Sequence, residues 1–277
     1  MDFQSIVTDV ESLPPLSDTA NIVRRLYAEG IEHVNITKLV IAIEADAVLA
    51  ANVLKMINAP FYGFSKQIKS ISQAVTLFGT QMIYGLVVKY AINSAIIANL
   101  RPYGITNSKF NDVCHLQSVL INKWYSPIDM AQAKFLTPLA LIMESGKLLT
   151  AREITQRGKI KEFNEGFKLA EDVIIYENSY FGTTSYFVSG LLFDHWNLEP
   201  HYIAILKGLD FEHPNASPQL GKWIDSLDVV RTAVNAREIF TDNSIEEAAN
   251  LVFEMGQSKA DFLDVVNEMK YVYENGL

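Results

Sequence analysis

Residues 71–82 read ISQAVTLFGTQM, and the spacing of their apolar side chains decides the fold class. Ile71, Ala74, Val75, Phe78 and Met82 stand at i, i+3, i+4, i+7 and i+11, one stripe on a helix of 3.6 residues per turn. The rhythm returns near the end of the chain in Phe262, Val265, Val266, Met269 and Val272. Ser258 with Asp261 reads as a capping box opening that last helix, and Gly276 as its stop. Ser244 with Glu247 marks another helix start, ahead of a run rich in acids that favour a helix N-terminus. Pro14, Pro15, Pro60, Pro127 and Pro214 punctuate the chain, and Pro138 is expected in the first turn of its helix, where its missing N–H costs little. No sustained period-two alternation argues for a sheet, so the expected class is all-α.

Composition narrows the function. With 277 residues and 49% hydrophobic content, the chain can bury one large core or two small ones. A single cysteine excludes an intrachain disulfide and four-cysteine zinc modules, which fits a cytoplasmic location. No basic segment followed by an apolar one opens the chain, so no secretory signal is expected. The longest apolar stretch, IYGLVVKYAINSAIIANL at 83–100, is broken by Lys89, Asn93, Ser94 and Asn99; it reads as a buried helix and not as a membrane insertion. Against 23 basic residues stand 32 acidic ones, and the resulting charge of -9 disfavours nucleic acid, which needs a basic face. A soft boundary falls at RPYGITN, 101–107, between two helical regions.

Motifs for chemistry are scarce. Gly146-Lys147 lacks the upstream glycine and following hydroxyl of a phosphate-binding loop, and no G-x-S-x-G is present. Cys114 and His115 are neighbours, but adjacent helical residues point about 100° apart and cannot face each other as nucleophile and base. Cys114 is therefore expected to be a buried, inert thiol. The histidines, His33, His115, His195, His201 and His213, form no short metal-binding pair.

A longer pattern emerges from the N-terminus. LPPLSDTANIVRRL at 13–26, IEADAVLAANVLKMINAPFYGF at 43–64 and IKSISQAVTLFG at 68–79 occur in the order typical of HDOD proteins, through Leu13, Pro14, Leu16, Asp46, Asn58, Tyr62, Gly63, Ser70 and Gly79. ENSYFGTTSYFVSGLLFDHWNLE at 177–199 supplies Glu177, Gly182, Leu192 and Trp196, and SLDVVRTAVNAREI at 226–239 is similar to the helix that closes the family's core. The chain thus resembles the HDOD family over about residues 13–240. HDOD proteins are relatives of HD-type metal phosphohydrolases and phosphodiesterases, and are generally regarded as signalling modules.

The resemblance implies a two-lobed helical bundle: an N-terminal lobe at 1–105 and an HD-like lobe at 106–277. It places His115, Met143, Glu144, Ser185, Leu209 and Asp210 where a related hydrolase would gather metal ligands. Methionine is a soft thioether and leucine no ligand at all, so no metal, no cofactor and no catalytic residue is expected. Glu144, surrounded by Leu139, Leu141, Ile142, Leu148 and Leu149, is expected to be buried and in need of a partner, either His115 or Lys147 at i+3. Asn58 is expected to cap a helix C-terminus in left-handed geometry. Phe61, Tyr62 and Phe64 offer either a contact patch for a partner or ligand or packing between the lobes, while Gly79, Gly146, Lys147 and Trp196 read as framework. The implied function is a non-enzymatic module of bacterial signal transduction that binds protein partners. The alternatives are a degenerate HD phosphohydrolase or phosphodiesterase, and a small-molecule sensor using the vestigial cleft as an apolar pocket.

Overall fold

A computed structural model describes residues 3–28, 30, 33–64, 66–210 and 216–275; Gly276, His213 and Pro214 lie outside them. The helices, in chain order, are α1 (Phe3–Glu11), α2 (Asp18–Leu26), α3 (Ile36–Glu44), α4 (Ala47–Ile57), α5 (Ile71–Ala95), α6 (Asn107–Tyr125), α7 (Met130–Ile142) and α8 (Gly146–Gln156). There follow α9 (Ile160–Leu169), α10 (Val173–Phe181), α11 (Ser185–His195), α12 (Pro200–Gly208), α13 (Pro218–Ala233), α14 (Asp242–Glu254) and α15 (Lys259–Asn275). Among the described residues the one β-type pairing is an isolated bridge between Val234 and Ile239, so the all-α expectation holds.

The helix carrying the opening stripe starts where Ser70 accepts a hydrogen bond from the Gln73 amide, an N-cap that satisfies one orphan donor. Gly79 then breaks the helical path with φ 76° and ψ 166°, a left-handed angle that a side chain rarely adopts. Beyond this kink Met82 to Lys89 are all buried, so α5 is apolar all round because it runs through the core. This helix is long and apolar enough to cross a membrane by length and composition alone, and 56% of that window is buried inside the fold.

Close packing fixes α5 against α7. A methyl group on Gly85 would lie 2.6 Å from Cβ of Pro138, so the two helices meet where only hydrogen fits. Pro138 lies in the interior of α7, not in its first turn as its ring chemistry suggested. Thr137 Oγ1 donates to the Ala133 carbonyl beside it, and Ser118 Oγ on α6 donates to the Thr137 carbonyl at 3.0 Å. Hydroxyls thus serve carbonyls around the interrupted ladder.

The stretch 139–149 is likewise two helices and not one. After α7, residues Met143–Ser145 tighten into a 3₁₀ turn, and α8 starts afresh at Gly146. Helix α14 is capped by Thr241, three residues earlier than expected; Ser244 is buried inside it and donates to the Ala233 carbonyl. At the last helix Ser258 does accept from the Asp261 amide, as the capping pattern predicts.

The N-terminal segment is pinned to distant parts of the chain. Trp196 Nε1 donates to the Pro14 carbonyl at 3.0 Å, Ser5 Oγ to Glu153 at 2.7 Å, and Arg152 pairs with Asp9 at 3.2 Å. Asn58 ends α4 with φ -83°, which is not left-handed; its amide donates to the Leu54 and Ile68 carbonyls while its oxygen accepts from the Ile68 amide. It therefore latches the loop before α5 instead of capping in αL geometry. Gly85→Ala should destabilise the protein by about 1–3 kcal/mol, the cost of overpacking a filled interior, read as a lower urea midpoint with unchanged slope.

Candidate functional site

Glu144 sits in the 3₁₀ turn between α7 and α8 with 1% of its surface exposed, so its charge needs compensation from protein groups. Lys147, equally buried, places Nζ 2.6 Å from Glu144 Oε2. The other carboxylate oxygen accepts from Gln117 Nε2 and from the Tyr186 hydroxyl, both at 2.8 Å. Burial alone would push the Glu144 carboxyl up. The Lys147 ammonium, then the Gln117 and Tyr186 hydrogen bonds, together outweigh burial and hold it below the ordinary carboxylate range. Burial likewise acts to lower the Lys147 ammonium, but Glu144 and then Glu177 hold it above its ordinary value.

The network extends through Ser185 at the start of α11. Lys147 Nζ donates to Ser185 Oγ at 2.9 Å, and the Ser185 amide donates to buried Glu177 Oε2 at 2.6 Å. Gly146 permits this approach, because a methyl group there would lie 1.9 Å from the Ser185 carbonyl oxygen. Ser189 Oγ accepts from the Gly146 amide and donates to the Met143 carbonyl, each at 2.7 Å. Two cations lie over the Tyr186 ring, Lys147 Nζ at 4.5 Å from its centroid and the Arg231 guanidinium at 4.9 Å.

Of the two partners expected for Glu144, the structure brings Lys147 and not His115. The His115 ring is buried on another face of α6, where Nδ1 lies 3.0 Å from the Tyr62 hydroxyl. Burial, then the Lys89 ammonium, depresses its pKa to about 3, so it is neutral at physiological pH. Gln117, two residues on and so about 200° around the helix, is the α6 residue that reaches Glu144. Sequence reasoning missed Gln117, Tyr186 and Arg231; their one signal was that Gln117 lies two residues from His115 and that the other two fall in the segments 177–199 and 226–239 already singled out.

Met143 and Leu209 are buried apolar groups, and Asp210 is buried after α12. Desolvation raises the Asp210 carboxyl to about 6, opposed by a hydrogen bond from Thr184 and by Arg231. Phe61 and Tyr62 are half-buried, Tyr62 through its bond to His115, and Phe64 is exposed with its ring 5.2 Å from that of Phe78. Cys114 is buried, as expected.

A divalent ion does not fit this arrangement. Around Glu144 stand an ammonium, an amide N–H and a phenol O–H, all of which donate and none of which offers a negative charge. Among the described residues no group of three histidine, cysteine, aspartate or glutamate side chains converges. Next to the network, a cavity of about 270 Å³ is lined by Lys147, Phe167, Tyr186, Arg231 and flanking acids; none of the six positions assigned to a vestigial metal site lines it.

A family model described as HDOD domain matches residues 13–208. A virulence factor from Campylobacter jejuni is 23% identical, with 95% of each chain covered and a TM-score of 0.57. A candidate phosphohydrolase from Shewanella amazonensis is 17% identical, with 97% of this chain and 94% of that chain covered and a TM-score of 0.70. A candidate signal transduction protein from Marinobacter aquaeolei is also 17% identical, with a TM-score of 0.71; the alignment covers 98% of this chain and 62% of that one. These likenesses are of fold. No curated protein matches.

Two measurements probe the network. Glu144→Leu strands a buried ammonium and should cost about 3–5 kcal/mol in urea unfolding, and adding Lys147→Met should recover part of that loss. The pH response has two opposed parts. Below about 6.5 the unfolded chain protonates His115 while the folded site refuses the proton until about 3, so stability falls as pH drops through that window. Asp210 holds its proton in the fold up to about 6 but releases it near 3.8 when unfolded, so its contribution falls as pH rises between them. His115→Gln should flatten the first slope and Asp210→Asn the second, in melting temperatures followed across pH.

Proposed function

This chain belongs to the HDOD family, and from that premise we propose that it is a non-enzymatic module of bacterial signal transduction, cytoplasmic, which presents a helical surface to protein partners. The observation that carries this reading is the closed charge balance around Glu144. A hydrolytic metal site needs several anionic or imidazole donors and an open position for water. Here an internal ammonium 2.6 Å from the carboxylate takes the cation's role, and every contact around it is a donor. The His115 imidazole, the natural ligand type, is engaged with Tyr62.

Binding is supported by the apolar groups left outside. Ile36 and Ile41 on α3, Val48 on α4 and Leu77 on α5 are exposed, on helices that pack against one another. Apolar side chains exposed on adjoining helices are the ordinary material of a protein contact. Signal transduction as the setting rests on the family and on the named character of the Marinobacter relative.

Two results are expected from the full chain purified from its native host. Affinity capture retains a specific protein that is lost when Ile41 and Val48 are both changed to Glu, with the melting temperature unchanged. Hydrolysis of bis(p-nitrophenyl) phosphate with added Mn²⁺ stays at the rate of a Glu144→Gln variant. Turnover above that variant would sink the non-enzymatic reading.

A further inference from the structure

The cavity beside the ion pair has a graded charge. At its inner end lie Lys147 and Arg231, both cations, and Lys147 is 2% exposed. Asp228 engages Nε of Arg231 at 2.5 Å, while the buried Nη1 of the same guanidinium has no hydrogen-bond partner among the described residues. Toward solvent stand the exposed carboxylates Glu171, Asp172 and Glu247, with Arg237 and Glu238 paired beside them at 3.5 Å, so this end keeps an excess of acid. Between the two ends, Phe167 and Ile174 supply apolar wall.

Tyr186 cannot serve as a stacking platform for a ligand. Lys147 and Arg231 already lie over its ring, and its hydroxyl is spent on Glu144. Recognition in this cavity therefore falls to charge and to the apolar wall. A simple anion would have to pass the acidic mouth, and a simple cation would meet the Arg231 guanidinium at the inner end, where the Lys147 ammonium is already neutralised by Glu144. A dipolar molecule satisfies both ends at once. The cavity, open on one side and about 270 Å³ in volume, lies just under the range of drug-sized ligand pockets and suits a small metabolite.

We propose that this cavity binds a small zwitterion of the amino-acid class. The carboxylate points inward to Arg231, the ammonium lies among the carboxylates of the mouth, and the hydrocarbon body rests on Phe167 and Ile174. The inference goes beyond the partner reading and holds whether or not a partner is found, because its site lies on α8 to α14 and not on the exposed faces of α3 to α5.

The test is thermal unfolding of the full chain with each common L-amino acid and with 6-aminohexanoate at millimolar concentration, against hexanoate and hexylamine as single-charge controls. A ligand of the folded state raises the melting temperature saturably. At least one zwitterion is expected to do so, and neither control. Glu171→Gln, at an exposed position that leaves the unliganded melting temperature unchanged, should weaken binding about two- to fivefold, the scale of a solvent-exposed ion pair. Arg231→Gln should abolish the shift; if that variant fails to fold, the Glu171→Gln comparison decides. No shift with any zwitterion, a control that binds as well, or undiminished binding by Glu171→Gln overturns the proposal.

Discussion

The buried pair of Glu144 and Lys147 is the constraint around which the later half of the chain is arranged. Two opposite charges with almost no water contact are tolerable only if their remaining valences are met, and the surrounding elements meet them. Gln117 comes from α6, Tyr186 and Ser185 from α11, and Gly146 brings α8 close enough for the lysine to reach. Replacing such a pair with apolar groups is often harmless, whereas breaking it is costly, so the pair contributes more to specificity of arrangement than to raw stability. It fixes which faces of α6, α8 and α11 turn inward.

That constraint also bears on whether a metal fits beside Glu144. A carboxylate amid a metal cluster needs other anionic ligands beside it; this one has a cation and two neutral donors. The positions that the family resemblance would assign to metal ligands make other contacts here. His115 serves Tyr62, Met143 offers its carbonyl to Ser189, Ser185 links Lys147 to Glu177, and Leu209 packs in the core.

How much of this was legible in the sequence depended on how local the cause was. The all-α class was readable because a 3.6-residue period is a local property, and Ser258 was readable as a cap because its partner is three residues away. The ion pair was half readable: i and i+3 put Lys147 within reach of Glu144, but nothing in the sequence excluded His115. Gln117 was illegible, because a glutamine on a helix carries no signal until α6 is laid across the 3₁₀ turn. Pro138 was misplaced for the same reason; the rule that proline belongs in a first turn is local, whereas its contact with Gly85 joins helices some fifty residues apart. Asn58 was assigned an αL cap by propensity, yet its side chain bonds to Ile68 across the loop.

With Lys147 Nζ 2.6 Å from Glu144, the ammonium stands where a metal ion would have to sit. Calorimetric titration of Mn²⁺ into the purified full chain at neutral pH tests this placement most directly. No saturable heat that differs between the natural chain and its Glu144→Gln variant is expected. One-to-one binding that disappears in that variant would contradict it.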